Sequence, residues 1–424
     1  MRFLSFLLLW LIPSCFVCAD SPSEWPSWRG DVYGSGQTSA KALPKSWAPD
    51  KQVRWRVELP EAGNSTPVIA NKRVFVTQPV ADKKWRGIFC FDAKDGSLLW
   101  KNGVVYDKPE RTHRTNPYAS ASPVTDGKIV IAAFGSAGVA AYDLEGKALW
   151  HRDFGPIDHE WGNSTSPVLH GELCYHYHGP GKGAFLVALE KATGKTVWQW
   201  KEPDWAPGVR TDGFQGQGEG VIGSFSTPIL VEAKGRLELV MSFPMEMKAF
   251  DPATGKVLWT SAGLNPLVYT SPMVDKDIVV ALGGYHGNSI AVRAGGEGDV
   301  TATHRLWQKV RHNGGIGTGV IRDGLYYYHD SGGVVHCLEI ETGETLWKER
   351  LPGVGKSWGS FVMADDLIYT LGQTGETVVF RANRERLEVV SQADVGEQTN
   401  SSLAPDNDQF FIRTHQALWC VGVK

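Results

Sequence analysis

One short template recurs along the chain: FDAKDGSLLW (91–100), LEKATGKTVW (189–198), FDPATGKVLW (250–259) and LEIETGETLW (338–347), with YDLEGKALW (142–150) one turn residue shorter. In each copy an acidic residue ends a strand, and its carboxylate can accept backbone N–H bonds across the turn. Gly96, Gly146, Gly194, Gly255 or Gly343 then supplies the position that needs positive φ. Four residues further on a tryptophan starts the return strand. Trp100, Trp150, Trp198, Trp259 and Trp347 each carry a large apolar area suited to packing on the neighbouring unit.

A second landmark alternates with the first: Thr66-Pro67-Val68, Ser122-Pro123-Val124, Ser166-Pro167-Val168, Thr227-Pro228-Ile229 and Ser271-Pro272-Met273. Degenerate copies follow at Thr318-Gly319-Val320, Ser360-Phe361-Val362 and Ser402-Leu403-Ala404, giving eight. Between landmarks lie period-2 strands such as 73–77, 129–132 and 325–328, so each unit reads as a four-stranded meander. A period of roughly 40 to 60 residues with four strands per unit is the signature of a propeller blade. The 48 Gly and 23 Pro agree with a turn-rich, all-β chain.

The sequence therefore predicts an all-β fold, an eight-bladed β-propeller of four-stranded antiparallel blades. Val53-Arg54-Trp55 has no unit before it and Ala417-Leu418-Trp419-Cys420 lacks a return strand after it, so pairing of the N- and C-terminal strands is expected to close the ring and remove an exposed edge. The stretches 292–307 and 380–390 depart most from the turn template. Cys90, Cys337 and Cys420 fall at one equivalent place, where Ala188 and Ala249 stand in other units, and are expected to fill a small core slot.

Ahead of the repeats, Arg2 followed by FLSFLLLWL (3–11), with Val17 and Ala19 before a cleavage point, has the pattern of a secretory signal. The expected division is a signal peptide over 1–19, an entry segment over 20–52 and a single propeller over 53–424. Periplasmic or secreted localisation follows, with no transmembrane segment in the mature chain. Cys15 and Cys18 leave with the signal, and export permits disulfides among the remaining cysteines without demanding them. Forty-three basic against 46 acidic residues give no nucleic-acid footprint. A monomer is expected.

The D-x-x-T-G-x-x-x-W copies resemble the pyrroloquinoline-quinone-type (PQQ-like) propeller repeat family over nearly all of the mature length, and Trp25-Pro26-Ser27-Trp28-Arg29-Gly30 is similar to the entry segment of many secreted members. That resemblance implies two different activities. The family includes quinoprotein dehydrogenases and also cofactor-free scaffolds such as the lipoprotein of the outer-membrane protein assembly machinery. Fold alone does not choose between them.

In a propeller the loops leading into the innermost strands surround one mouth of the axial channel. The positions three before each Pro or its equivalent are Asn64, Ser120, Ser164, Phe225, Tyr269, Ile316, Trp358 and Asn400. Aromatics on one arc and amides or hydroxyls on the other suit a flat polar ligand such as a sugar or quinone; the alternative is that these side chains plug the channel and contact one another. Longer insertions crowd the same mouth and add His113, Arg114, His159, Glu160, Asn163, Arg210 and Asp212, with His312 across the ring. They offer acid, base or anion contacts, although no spacing makes them converge. His176 and His178 alternate on one face of a strand, as chelators or as a surface stripe. Neither H-E-x-x-H, paired C-x-x-C, an acidic calcium loop nor G-x-S-x-G occurs.

Three functions stay open at this point. The leading one is an exported binding or scaffold module that displays its loop face to an envelope protein or a glycan. The alternatives are a PQQ-dependent oxidoreductase, for which the resemblance implies PQQ with calcium, and a polysaccharide-processing propeller.

Overall fold

Each Ser/Thr landmark releases an innermost strand, and each acidic-glycine turn folds the third strand of its unit back into the fourth. A computed structural model of the chain describes residues 24–206, 210 and 221–423; the expected signal peptide lies outside them. Seven consecutive antiparallel meanders span 68–105, 124–152, 168–201, 229–262, 273–309, 320–350 and 362–394. The eighth takes Ala404–Asp406, Gln409–Arg413 and Ala417–Gly422 from one end of the chain and Val53–Glu58 from the other, with Arg56 opposite Trp419. The ring is thus an eight-bladed propeller closed by its two ends, as the unpaired half-units at 53 and 417 require. Among the described residues no helix is long and apolar enough to cross a membrane.

The tryptophans explain why the turns need glycine. Trp55, Trp100, Trp150, Trp198, Trp307 and Trp347 each donate the indole N–H to a carbonyl oxygen in the next blade's turn, at 2.8–3.1 Å. The ring lies flat against that turn, so a Cβ on Gly194, at φ +71°, would sit 2.6 Å from Trp150 Cδ2, and one on Gly255 2.5 Å from Trp198. Positive φ and lack of a side chain are both demanded there. Within its own blade each tryptophan stands opposite a small residue. Cys90, Cys337 and Cys420 face Trp100, Trp347 and Trp55, while Ala141, Ala188, Ala249 and Ala291 face Trp150, Trp198, Trp259 and Trp307. The four cysteines of the described residues are buried and free.

Two blades depart. After Trp259 the next turn is replaced by an insertion, 294–304, whose Gly298–Asp299 strand pairs in parallel with Trp259 and Thr260; the indole N–H turns instead to Glu238 Oε2 at 2.7 Å. In blade 7 the tryptophan position holds Ser391 opposite Val379. The groove it leaves is filled from the entry segment. Trp47 is 3% exposed and packs on Phe410 of blade 8 at 5.8 Å, its carbonyl accepts the Asp394 N–H at 3.1 Å, and Ser391 Oγ bonds the Lys45 carbonyl.

The landmark hydroxyls stitch the ring from inside. Thr66 N–H donates to Ser122 Oγ (2.8 Å), Ser122 N–H to Ser166 Oγ (3.0 Å), Ser166 N–H to Thr227 Oγ1 (3.1 Å) and Thr227 N–H to Ser271 Oγ (2.8 Å). Ser271, Thr318 and Ser360 continue the series at 3.3, 3.1 and 2.9 Å to reach Ser402. At the closing junction Ser401 Oγ bonds the Ser65 carbonyl at 3.2 Å. These are buried backbone donors beside a proline or its equivalent, where the innermost strand has not yet begun. A neighbouring hydroxyl is what satisfies them.

Candidate functional site

Above the hydroxyl ring, the residue three before each landmark points to the axis. All eight rim residues, Asn64, Ser120, Ser164, Phe225, Tyr269, Ile316, Trp358 and Asn400, line one cavity of about 370 Å³. Its walls differ. On one arc Phe225 and Tyr269 lie parallel at 6.1 Å (7°), and Trp161 also stacks with Tyr269 at 6.2 Å (18°). Tyr285 meets Tyr269 edge-on at 5.4 Å. This makes a ladder of aromatic faces and edges.

The opposite arc is polar and largely self-organised. Asn64 and Asn400 both donate to the Thr115 carbonyl, at 2.9 and 3.2 Å, and Asn116 donates to the Trp161 carbonyl at 2.6 Å. Gln373 donates to Asn400 Oδ1 at 2.6 Å, and Ser120 Oγ to the Pro117 carbonyl at 2.8 Å, whereas Asn64 Oδ1 finds no partner among the described residues. The amides thus hold the loop 112–117 down over the cavity, and that loop adds His113, Thr115 and Asn116 to the lining. The loop is anchored from behind by a buried ion pair, Arg86 with Glu110. Glu110 also accepts the Ser136 N–H at 2.8 Å, and Arg86 lies over Tyr118 at 4.1 Å.

Of the thirteen candidate residues, six line the cavity: Asn64, His113, Phe225, Tyr269, Trp358 and Asn400. His159 stands behind them, edge-on to both Phe225 and Trp161, and burial pulls its pKa down to about 4, so it is a neutral buttress. Asn163 points away to the Gly179 carbonyl, Arg210 is buried and bonds the Val221 carbonyl at 3.1 Å, and Arg114 and Glu160 are exposed. His312 is enclosed between Ser289 Oγ (2.9 Å) and the Tyr328 hydroxyl (2.7 Å). Asp212 lies outside the described residues. Loop residues carry no strand periodicity, so no sequence pattern tells which way these side chains turn. His176 and His178 do share a face, but it is buried, 1% and 4% exposed, not a surface stripe, and no third ligand joins them; among the described residues no metal-ligand cluster occurs.

Thr115, Asn116 and Trp161 join the lining from the loop insertions expected to crowd this mouth. What sequence reading missed is Tyr285, from another loop, and Trp28 of the entry segment, which lines the cavity from below. Underneath, residues 25–38 cross the channel. The carbonyls of Trp25, Pro26, Val32 and Gly36 accept the N–H groups of Ile69, Thr125, Leu230 and Met363, and Gln37–Thr38 pairs in parallel with Met363 and Ala364. Arg29, 2% exposed, sends its guanidinium to the carbonyls of Gly34, Thr318 and Phe361 at 2.9–3.1 Å and of Gly319 at 2.5 Å. The inner edges of central strands otherwise present unpaired backbone to the channel, and this segment pairs with them.

A tricyclic quinone held with a metal ion needs cationic partners for its carboxylates and acidic ligands for the metal. The described lining holds no Asp, Glu, Lys or Arg, and His113 is its single ionisable side chain apart from tyrosine. Stacking faces are present, but the described residues do not fit that pair of cofactors.

Comparison with known proteins gives both branches of the family. The sequence profile described as outer membrane protein assembly factor BamB matches residues 37–181 and 181–424. A polyvinylalcohol dehydrogenase of Sphingopyxis sp. (strain 113P3) is 23% identical over 271 residues, 56% of this chain and 39% of that protein. A tetrathionate hydrolase of Acidianus ambivalens is 28% identical over 26% of this chain and 24% of its own length. The chain thus spans about two fifths or less of the curated relatives it matches. Among solved structures, quinohemoprotein alcohol dehydrogenase from Comamonas testosteroni superposes with TM-score 0.71 at 11% identity, covering 95% of this chain and 81% of the other. BamB from Moraxella catarrhalis gives 0.58 at 13%, covering 87% and 99%. At such identities these structures share the fold.

Proposed function

The chain belongs to the family described as outer membrane protein assembly factor BamB, and on that premise we propose that it is an exported binding module that seats a small uncharged ligand in the cavity at its loop mouth. The observation that carries this is the lining itself: stacked aromatic faces opposite neutral amides and hydroxyls, with no formally charged carboxylate, ammonium or guanidinium among the described lining residues. A ligand with flat apolar faces and hydroxyl edges satisfies both arcs, the faces against Tyr269 and Trp358 and the edges against Asn64, Ser164 and Asn400. Neutral glycans have that chemistry.

The test is titration of a panel of neutral oligosaccharides, read by tryptophan fluorescence and calorimetry. Saturable binding lost in Trp358→Ala or Tyr269→Ala, with the melting temperature retained, supports the reading. The opposing arm adds PQQ and calcium; a saturable rise in melting temperature there, with no glycan response, overturns it in favour of the dehydrogenase branch. A second reading, an envelope-protein partner on the same loop face, draws on the family description and on the 99% coverage of the Moraxella BamB chain. Pull-down that survives both cavity substitutions favours it.

A further inference from the structure

We propose that the cavity is a blind socket for the end of a neutral glycan chain, with Trp28 as its floor. This rests on the binding function proposed above and adds a geometric restriction to it. The depth markers are in the sequence register. The rim residues stand three before each landmark Pro or its equivalent and the hydroxyl ring one before. The backbone donors that hold the entry segment, Ile69, Thr125, Leu230 and Met363, each stand two after. Five residues of strand span at most about 17 Å, so the crossing segment lies one short strand-length below the mouth.

That segment crosses the whole bore. Its bonds reach blades 1, 2, 4 and 7 through backbone N–H groups, and the Arg29 guanidinium reaches blade 6 at Thr318 and Gly319 and blade 7 at Phe361. Blades 2 and 6 face each other across the axis. Trp25 is buried beneath, and its indole N–H donates to the Trp28 carbonyl at 3.3 Å, fixing the turn from which the Trp28 ring enters the cavity. A ligand entering at the mouth therefore meets an aromatic surface and cannot thread through. A polymer can place only its terminal units there, one face on the Tyr269 ladder and its tip against Trp28. A chain without an end, or the interior of a long one, is excluded by shape and not by chemistry.

The experiment compares linear neutral glucan oligosaccharides with cyclic glucans of the same linkage on the full-length exported protein, by calorimetry. The expected result is saturable binding of the linear form and at least about tenfold weaker binding of the cyclic form. Trp28→Ala is expected to weaken the linear form by about tenfold or more and Trp28→Phe to restore most of it, as for a central aromatic contact. An unchanged melting temperature in both variants separates loss of the floor from loss of the fold. Equal affinity for linear and cyclic forms, or no effect of Trp28→Ala in a folded protein, overturns the socket while leaving the binding function standing. No binding by any glycan of any linkage overturns the function, and the socket with it.

Discussion

Gly194→Ala tests whether the indole-on-glycine contact, repeated from blade to blade, holds neighbouring blades together. Two separate costs meet at this site. The backbone is at φ +71°, where an L-residue costs about 1–2 kcal/mol. The new methyl would lie 2.6 Å from Trp150 Cδ2, so the ring must shift, with an overpacking cost of about 1–3 kcal/mol. A shifted ring also strains its 2.9 Å bond to the Lys191 carbonyl, worth about 1 kcal/mol. Gly171→Ala is the internal control: its φ is +56° and nothing lies within 4 Å of the added carbon, so only the backbone cost applies. A chain of roughly 400 residues has an unfolding entropy near 0.8 kcal/mol/K, so Gly194→Ala should lower the melting temperature by about 4–7 °C and Gly171→Ala by about 1–2 °C. Scanning calorimetry measures both, and Trp150→Phe should show less than additive loss when combined with Gly194→Ala. Equal losses in the two glycine variants would refute the contact as the reason for the glycine.

Other outcomes follow from the same structure. Ser166→Ala leaves the Ser122 N–H without its acceptor in the buried ring and should cost about 1–3 kcal/mol in urea unfolding, with Ser166→Thr recovering most of it. Arg86→Met strands the Glu110 carboxylate and should destabilise by about 3–5 kcal/mol while weakening ligand binding through the 112–117 loop; a stable variant with full binding would contradict that anchoring. Burial holds His159, His178 and His312 at about 4 and His176 at about 3, so below pH 6.5 the unfolded chain binds more protons than the folded one. Their contribution is present above pH 6.5 and lost as pH falls towards 4. Glu202, pushed up to about 7 by burial despite the lowering pull of hydrogen bonds from Tyr177 and Trp205, acts in the opposite sense, its contribution falling as pH rises from 4.5 to 7. Four groups outweigh one: the urea midpoint should rise from pH 4.5 to 6.5, and Glu202→Gln should steepen the rise, whereas a flat profile would contradict the assignment.

Much of this was legible before any coordinates, because a repeat writes the same physics eight times. The turn template located the blades, the orphan half-units at 53 and 417 located the closure, and counting back three residues from each landmark found all eight rim positions in one cavity. The cysteine slots read correctly because Cys90, Cys337 and Cys420 stand opposite the tryptophan that faces alanine in other blades. What stayed hidden has no period. Arg29 binds carbonyls about three hundred residues away, and nothing in Trp28-Arg29 distinguishes a channel floor from a surface loop. His159 and His312 looked like chemistry because histidine in a loop is conspicuous. Their burial depends on Phe225 and Tyr328, which belong to other segments. Trp307 was obscured by the 294–304 insertion, and Trp47 because it replaces a residue of another blade from outside the repeat.

The eighth sheet is completed when residues 417–422 meet a strand made far earlier in the chain, Val53–Glu58. Until 417–422 exists, Val53–Glu58 has no partner, and a growing or partly threaded polypeptide carries two adhesive flanks that nothing in its own sequence can yet cover. Completion is therefore a single late event. Whatever shelters the early strand in the interval, a holding chaperone or the corresponding strand of a second unfinished copy, decides whether the product is one closed ring or two chains exchanged into each other.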